Sequence, residues 1–216
     1  TRLSFSYTQI FLIETIFSVS LFIFEIPTGV IADKFGKKRS LFLGSLLMGF
    51  GFFIFGLTFE LWMIVASQII CALGMSMISG ADRALLFEHY TKKKKTTSEI
   101  TVKMARYDAC GTVGMLVSFP LGSWFVGSGI IEIKEGLGFV IIISGIAILL
   151  SALIVLFIEE DKTSSSAIKE SSLKKGVKGL TFIFKNKELR IISLNYALIS
   201  GLTFLMFWLY QTLLLE

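Results

Sequence analysis

Hydrophobic positions along this chain come in long unbroken runs rather than short periodic patches. No Asp, Glu, Lys, Arg or His interrupts 40–59, 61–81, 109–131, 136–158 or 191–215. Each run supplies the roughly 20 residues that a helix needs to cross a hydrocarbon core about 30 Å thick. A further run, 8–31, is equally apolar apart from Glu14 and Glu25. Runs of this length predict helices, because a barrel strand needs only about ten alternating residues. The pattern predicts an all-α, polytopic transmembrane helical bundle with spans at 8–31, 40–59, 61–87, 98–127, 136–158 and 191–215.

Local features refine the spans. Pro27 bends or ends the last turns of the first one. Glu60 marks a very short turn, which makes the spans on either side antiparallel neighbours. Pro120 removes a backbone bond that neighbouring helices must replace. Two stripes of small residues predict packing faces: Ala72, Ser76, Gly80 and Ala84, and Cys110, Gly114, Ser118 and Gly122. Leu173, Val177, Leu180 and Phe184 recur at near-helical spacing with lysines on the other faces, predicting an amphipathic helix on the inner leaflet.

Composition agrees with a bilayer setting: 54% of the 216 residues are hydrophobic and 17% charged, too little polar surface for a water-soluble globule. Charge then gives orientation. With the first span running inward, the segments 32–39, 82–108 and 159–190 are internal and hold 19 of the 21 Lys and Arg residues. Only Arg2 and Lys134 lie outside, so the positive-inside rule selects this topology. The same distribution gives the net charge of +5 a topological explanation and argues against a nucleic-acid partner. Lys92–Lys95 reads as a solvated stop signal. Cys71 and Cys110 fall inside or beside spans and imply no disulfide framework.

The first internal loop reads Gly29-Val30-Ile31-Ala32-Asp33-Lys34-Phe35-Gly36-Lys37-Lys38-Arg39. It fits G-x-x-x-D-[RK]-x-G-[RK]-[RK] at every defined position, between two spans. This resembles the cytoplasmic loop between the second and third helices of the major facilitator superfamily. Phe24–Gly29 and Ser79–Glu88 resemble the ends of the second and fourth helices in one bacterial branch of that family. The resemblance implies an incomplete bundle of this type, helices two to seven of twelve. Residues 1–158 are then most of the N-terminal six-helix bundle without its first helix. Residues 159–190 are the cytoplasmic central linker with the amphipathic helix, and 191–216 the first helix of the C-terminal bundle. The missing initiator Met and the end just after a span also make the chain read as a fragment.

Residue chemistry explains the loop. Gly29 permits close helix approach, and Gly36 permits the positive φ of a tight interhelical turn. Asp33 suits the positive N-terminal end of a neighbouring helix. Lys34 completes the motif. Lys37, Lys38 and Arg39 either enforce topology or pair with Asp82 and Glu88 as a charged latch that holds one of two conformations. Gln68 aligns where many members carry Arg in the fourth helix, so it brings no charge for proton coupling. Phe119–Ser123 departs from the fifth-helix pattern G-P-x-x-G-G of antiporters.

Ionisable and polar residues at membrane depth are candidates for function. Glu14 suits a cavity-facing, proton-titrating role or interhelical hydrogen bonding, and Glu25 a gate or structural one. Arg106 and Asp108 pair with each other or with Asp82 and Arg83. Asn195, Trp208 and Gln211 belong to the cavity-lining seventh helix of the resemblance, although Trp208 and Tyr210 also suit an interfacial belt. The lone histidine, His89, excludes H-E-x-x-H zinc chemistry, and no Walker A loop is present. The expectation is a non-enzymatic, cofactor-free membrane protein of a bacterial-type plasma membrane. It works as a secondary transporter of a small solute by alternating access, with efflux one direction and a proton or other ion as candidate coupling partner. The alternative is a non-transporting sensor or scaffold with the same fold.

Overall fold

The computed structural model of the chain describes residues 5–93, 95–128, 133–158, 181–182 and 184–213, without the side chains of 133–137, 204 and 207–213. The regular structure among these is helical: α1 (Tyr7–Phe35), α2 (Lys37–Leu57), α3 (Leu61–Ile78), α4 (Ala81–Lys92), α5 (Thr97–Gly127), α6 (Ile133–Leu156) and α7 (Lys187–Leu213). The chain divides into two compact units, Thr1–Lys169 and Glu170–Glu216. Among the described residues, five stretches are long and apolar enough to cross a membrane: Tyr7–Phe35, Lys37–Leu57, Leu61–Lys92, Thr97–Gly127 and Gly138–Leu156. The amphipathic helix expected over 173–184 lies largely outside the described residues.

Capping sets several helix starts. Ser6 and Gln9 form a capping box at α1, with the Ser6 Oγ accepting from the Gln9 N–H at 3.3 Å and Gln9 Oε1 accepting from the Ser6 N–H at 2.9 Å. Thr96 and Glu99 form the same device at α5. In the second unit, the Asn186 side chain accepts from the N–H of Glu188 at 3.1 Å and opens α7.

Inside the first unit, α2 is central, packed on α3 along one side and on α6 along another, while α1 lies on α3. Two pairs of glycines make this possible, each pair seven residues apart and so on one helix face. Gly44 and Gly51 face α3, where a Cβ on Gly44 would meet the Gly74 carbonyl oxygen at 2.7 Å. Gly49 and Gly56 face α6, where Cβ atoms would meet Leu149 Cγ at 2.6 Å and Ile142 Cγ1 at 2.5 Å. Lipid offers helices no hydrophobic reason to associate, so close backbone contact holds them. Two small apolar clusters close the ends. Ile13, Ile64 and Val65 pack at one end, and Ala32, Leu41 and Ala81 at the other, beside the turn between α1 and α2.

The structure departs from the sequence pattern in three places. The expected span 61–87 is not one continuous helix. Ser79 (φ −54°, ψ 125°) and Gly80 (φ 79°, ψ −32°) take the dihedrals of a type II turn, which needs glycine at its second central position and separates α3 from α4. Of the two small-residue stripes, Ala72 and Ser76 are buried, but Cys110, Gly114 and Ser118 are exposed. Of the described glycines of α5, only Gly122 has a neighbour near the place of a Cβ, 3.8 Å from Val140, and α5 packs only lightly on α4 and α6. Gly29, expected at a close approach, faces open space. The neighbours Thr28 and Ala32, one turn apart, take the inward face instead.

These contacts set a stability contrast. Gly74→Ala would place its Cβ 2.6 Å from the backbone nitrogen of Met48 and 2.7 Å from the carbonyl oxygen of Gly44, atoms that cannot rotate away. We expect it to destabilise the protein by about 1–3 kcal/mol, the usual cost of overpacking. Gly114→Ala, with nothing within 4 Å, should be neutral or stabilising by up to about 1 kcal/mol. Thermal unfolding of the two variants in detergent checks the difference.

Candidate functional site

Around the Gly36 turn, α1, α2, α4, α5 and α6 bring the charged residues together. Helix α1 runs to Phe35, and Gly36 then turns the chain with φ 102° and ψ 145°, a backbone open essentially to glycine alone. Its N–H donates to the Ala32 carbonyl at 3.0 Å, and its own carbonyl accepts from Ser40 at 3.2 Å. One residue therefore ends α1 and starts α2. Three cations follow at the positive N-terminal end of α2, an unfavourable place for them unless anions or carbonyls lie close.

Both lysines find such partners. Lys37 forms an ion pair with Glu88 of α4 and keeps only 15% of its side chain exposed. Lys38 Nζ donates to the Leu156 carbonyl at 2.7 Å, at the negative C-terminal end of α6. Arg39 is exposed. Of the two carboxylates expected to meet these cations, Asp82 is held elsewhere. It accepts the Tyr107 hydroxyl of α5 at 2.6 Å, because it sits in the first turn of α4 on the side facing α5. Next to it, Arg83 Nη2 lies 3.0 Å from Asp108 Oδ1, with both side chains more than half exposed. Of the pairings open to Asp108, the structure has the one with Arg83.

Helix α4 thus carries one charged contact toward α2 and two polar contacts toward α5. An exposed pair such as Arg83–Asp108 contributes about 0–1 kcal/mol, whereas Lys37–Glu88 is partly buried. Asp33 is partly buried in the last turn of α1, and the Lys34 ammonium stands 5.4 Å from the centre of the Phe35 ring.

Of the membrane-depth candidates in the first unit, Asp108 belongs to this cluster through Arg83, and Glu14, Gln68 and Glu25 do not. Glu14 and Gln68 are partly buried on α1 and α3, and Glu25 is exposed on α1. Asn195 is exposed on α7, in the other unit. The side chains of Trp208 and Gln211 lie outside the described residues. Among the described residues no group of three or more His, Cys, Asp or Glu is placed to hold a metal. Sequence reasoning passed over Tyr107, although it stands between Arg106 and Asp108. It also passed over Thr28 and Ser40, whose hydroxyls are buried among helix backbones. A hydroxyl one residue after a proline, as at Thr28, was the available signal for the first of these.

A sequence profile of the Major Facilitator Superfamily matches residues 1–215. The Multidrug resistance proteins MdtH of Sodalis glossinidius (strain morsitans) and of Baumannia cicadellinicola subsp. Homalodisca coagulata are 29% and 30% identical to the chain over 98 residues. The aligned stretch takes in 45% of this chain and covers 23% of each relative's length. No solved structure matches the chain.

The α4–α5 contact predicts non-additive mutations. Tyr107→Phe removes the hydroxyl that Asp82 accepts, and Asp82→Ala removes the acceptor. Each should cost about 1 kcal/mol, the net worth of one hydrogen bond. The double variant should cost no more than the larger single, which thermal unfolding of all four proteins measures.

Proposed function

The chain belongs to the Major Facilitator Superfamily, and from that premise we propose that it is part of a secondary transporter moving a small organic solute by alternating access. The description of its two relatives as multidrug resistance proteins supports outward movement, across a bacterial cytoplasmic membrane. Family membership and five membrane-length apolar stretches make it a multi-pass membrane protein. The family is one of transporters, which agrees with the expectation that the chain is not an enzyme.

The observation that carries the mechanism is the Lys37–Glu88 ion pair across α2 and α4, at the inner face beside the Gly36 turn. In our reading it is a latch. Closed, it ties the loop 29–39 to α4 and stabilises one end state. Opened, it exposes both charges to inner-face water at small cost, which lets the bundle take its other state. Lys38, bonded to the end of α6, keeps the start of α2 in place while the latch works. Asp33, in the last turn of α1, completes the motif. Glu14 and Gln68, within α1 and α3, are the candidate proton or substrate contacts from this unit, and Asn195, Trp208 and Gln211 those from α7. The three-part division of the chain at 159–190 belongs to the same proposal.

Charge reversal tests the latch. In proteoliposomes holding the full-length protein, Glu88→Lys should reduce solute flux about tenfold, the effect of a 1.4 kcal/mol change in the balance of states. Adding Lys37→Glu should restore most of it. Asp33→Asn should impair flux without loss of membrane insertion. Unchanged flux in Glu88→Lys would refute the latch, and no flux of any solute with folded protein would refute transport itself.

A further inference from the structure

The end of α3 poses a problem that its neighbours solve. A helix leaves its last four carbonyls without donors of its own. Where α3 stops at the Ser79–Gly80 turn, the Ser79 N–H takes care of the Met75 carbonyl at 2.8 Å. The Ser76 and Met77 carbonyls take their donors from other helices. Thr28 Oγ1 of α1 lies 3.1 Å from the Ser76 oxygen, sharing its proton with the Phe24 carbonyl at 2.7 Å in its own helix. Ser40 Oγ of α2 donates to the Met77 oxygen at 2.7 Å. Thr28 and Ser40 are each 1% exposed, so no water replaces them.

We propose that Ser79–Gly80 is a pivot for α4, and that Thr28 and Ser40 are positioning residues that hold the end of α3 still while α4 swings. In lipid an unsatisfied carbonyl is costly, so a helix break there normally resists motion. Here two of the terminal carbonyls depend on α1 and α2, and the position of α4 does not enter. Gly80 has φ 79°, and a Cβ placed on it would meet nothing within 4 Å, so the joint has room. Beyond Ala81, which stays in the inner apolar cluster with Leu85 packed against it, α4 is tied by Lys37–Glu88, Tyr107–Asp82 and Arg83–Asp108. All three are polar contacts: Arg83–Asp108 is open to water in the structure, and Lys37, 15% exposed, reaches water once its pair with Glu88 opens. Helix α4 is therefore an arm about 18 Å long, twelve residues at 1.5 Å each. A 20° swing carries its tip by about 6 Å on that length.

The proposal deepens the latch reading and rests on it for its trigger, but the two fail separately. In the full-length protein with Cys71→Ala and Cys110→Ser, spin labels at Met75→Cys and Thr91→Cys report across the joint. Labels at Leu57→Cys and Met75→Cys report on α3 against α2. Introducing Glu88→Gln should shift or broaden the first distance by several ångströms and leave the second unchanged. Adding Ser40→Ala instead should broaden the second distance, because α3 then loses a fixed partner. An unchanged first distance, or both distances shifting together in Glu88→Gln, would overturn the pivot. An unchanged second distance in Ser40→Ala would overturn the role of the hydroxyl. If the arm swings while Glu88→Gln leaves flux intact, the pivot stands and the latch falls. Lost flux with fixed distances leaves the latch and removes the pivot.

Discussion

How closely α2 approaches its neighbours governs the first unit. Without glycine at 44, 49, 51 and 56, side chains would push α3 and α6 away. The inner end of α2 would then no longer lie beside both the Leu156 carbonyl and the Glu88 carboxylate. Glycine on two faces of one helix therefore does two things. It provides the dispersion contact that association in lipid requires, and it places Lys37 and Lys38, adjacent in sequence, against two different helices. The charged cluster is a consequence of the seam.

Buried and exposed contacts are divided along the same lines. Helices α1, α2, α3 and α6 meet through buried glycines and hydroxyls, which lipid makes costly to disturb. Helix α4 meets its surroundings through Ala81 and Leu85 in the apolar cluster and through polar pairs, of which the exposed Arg83–Asp108 is inexpensive to exchange. The turn at Ser79–Gly80 stands on the boundary between the two regimes. In the proposed reading this division has a use, since a transporter that alternates between two states needs a fixed bundle and contacts that open and close at its surface.

Much of this was legible in the sequence. Uninterrupted apolar runs placed the helices of the first unit, and the loop 29–39 led to the family that the profile match assigns. The positive φ of Gly36 followed from the shortness of its turn. The break at Gly80 was hidden because 61–81 carries no charge, and an apolar run reads the same whether its helix is continuous or turned. The stripe on α5 misled because periodic small residues show that a backbone is approachable without showing that a neighbour is there. Gly29 failed for a related reason: a motif fixes residue types, whereas the direction of a side chain depends on the helix phase, and here that phase points Thr28 and Ala32 inward. Asp82 and Glu88, six residues apart, lie on different faces of α4, so how α4 sits between α2 and α5 decides which carboxylate meets Lys37.

The account stands or falls on whether the Lys37–Glu88 contact must open for solute to cross. Lys37→Cys and Glu88→Cys in the full-length protein lacking its native cysteines, reconstituted in proteoliposomes, allow that contact to be locked by oxidation and released by reductant. The account predicts that oxidation stops the flux retained by the reduced protein and that reduction restores it. Flux unchanged in the demonstrably cross-linked protein would contradict it.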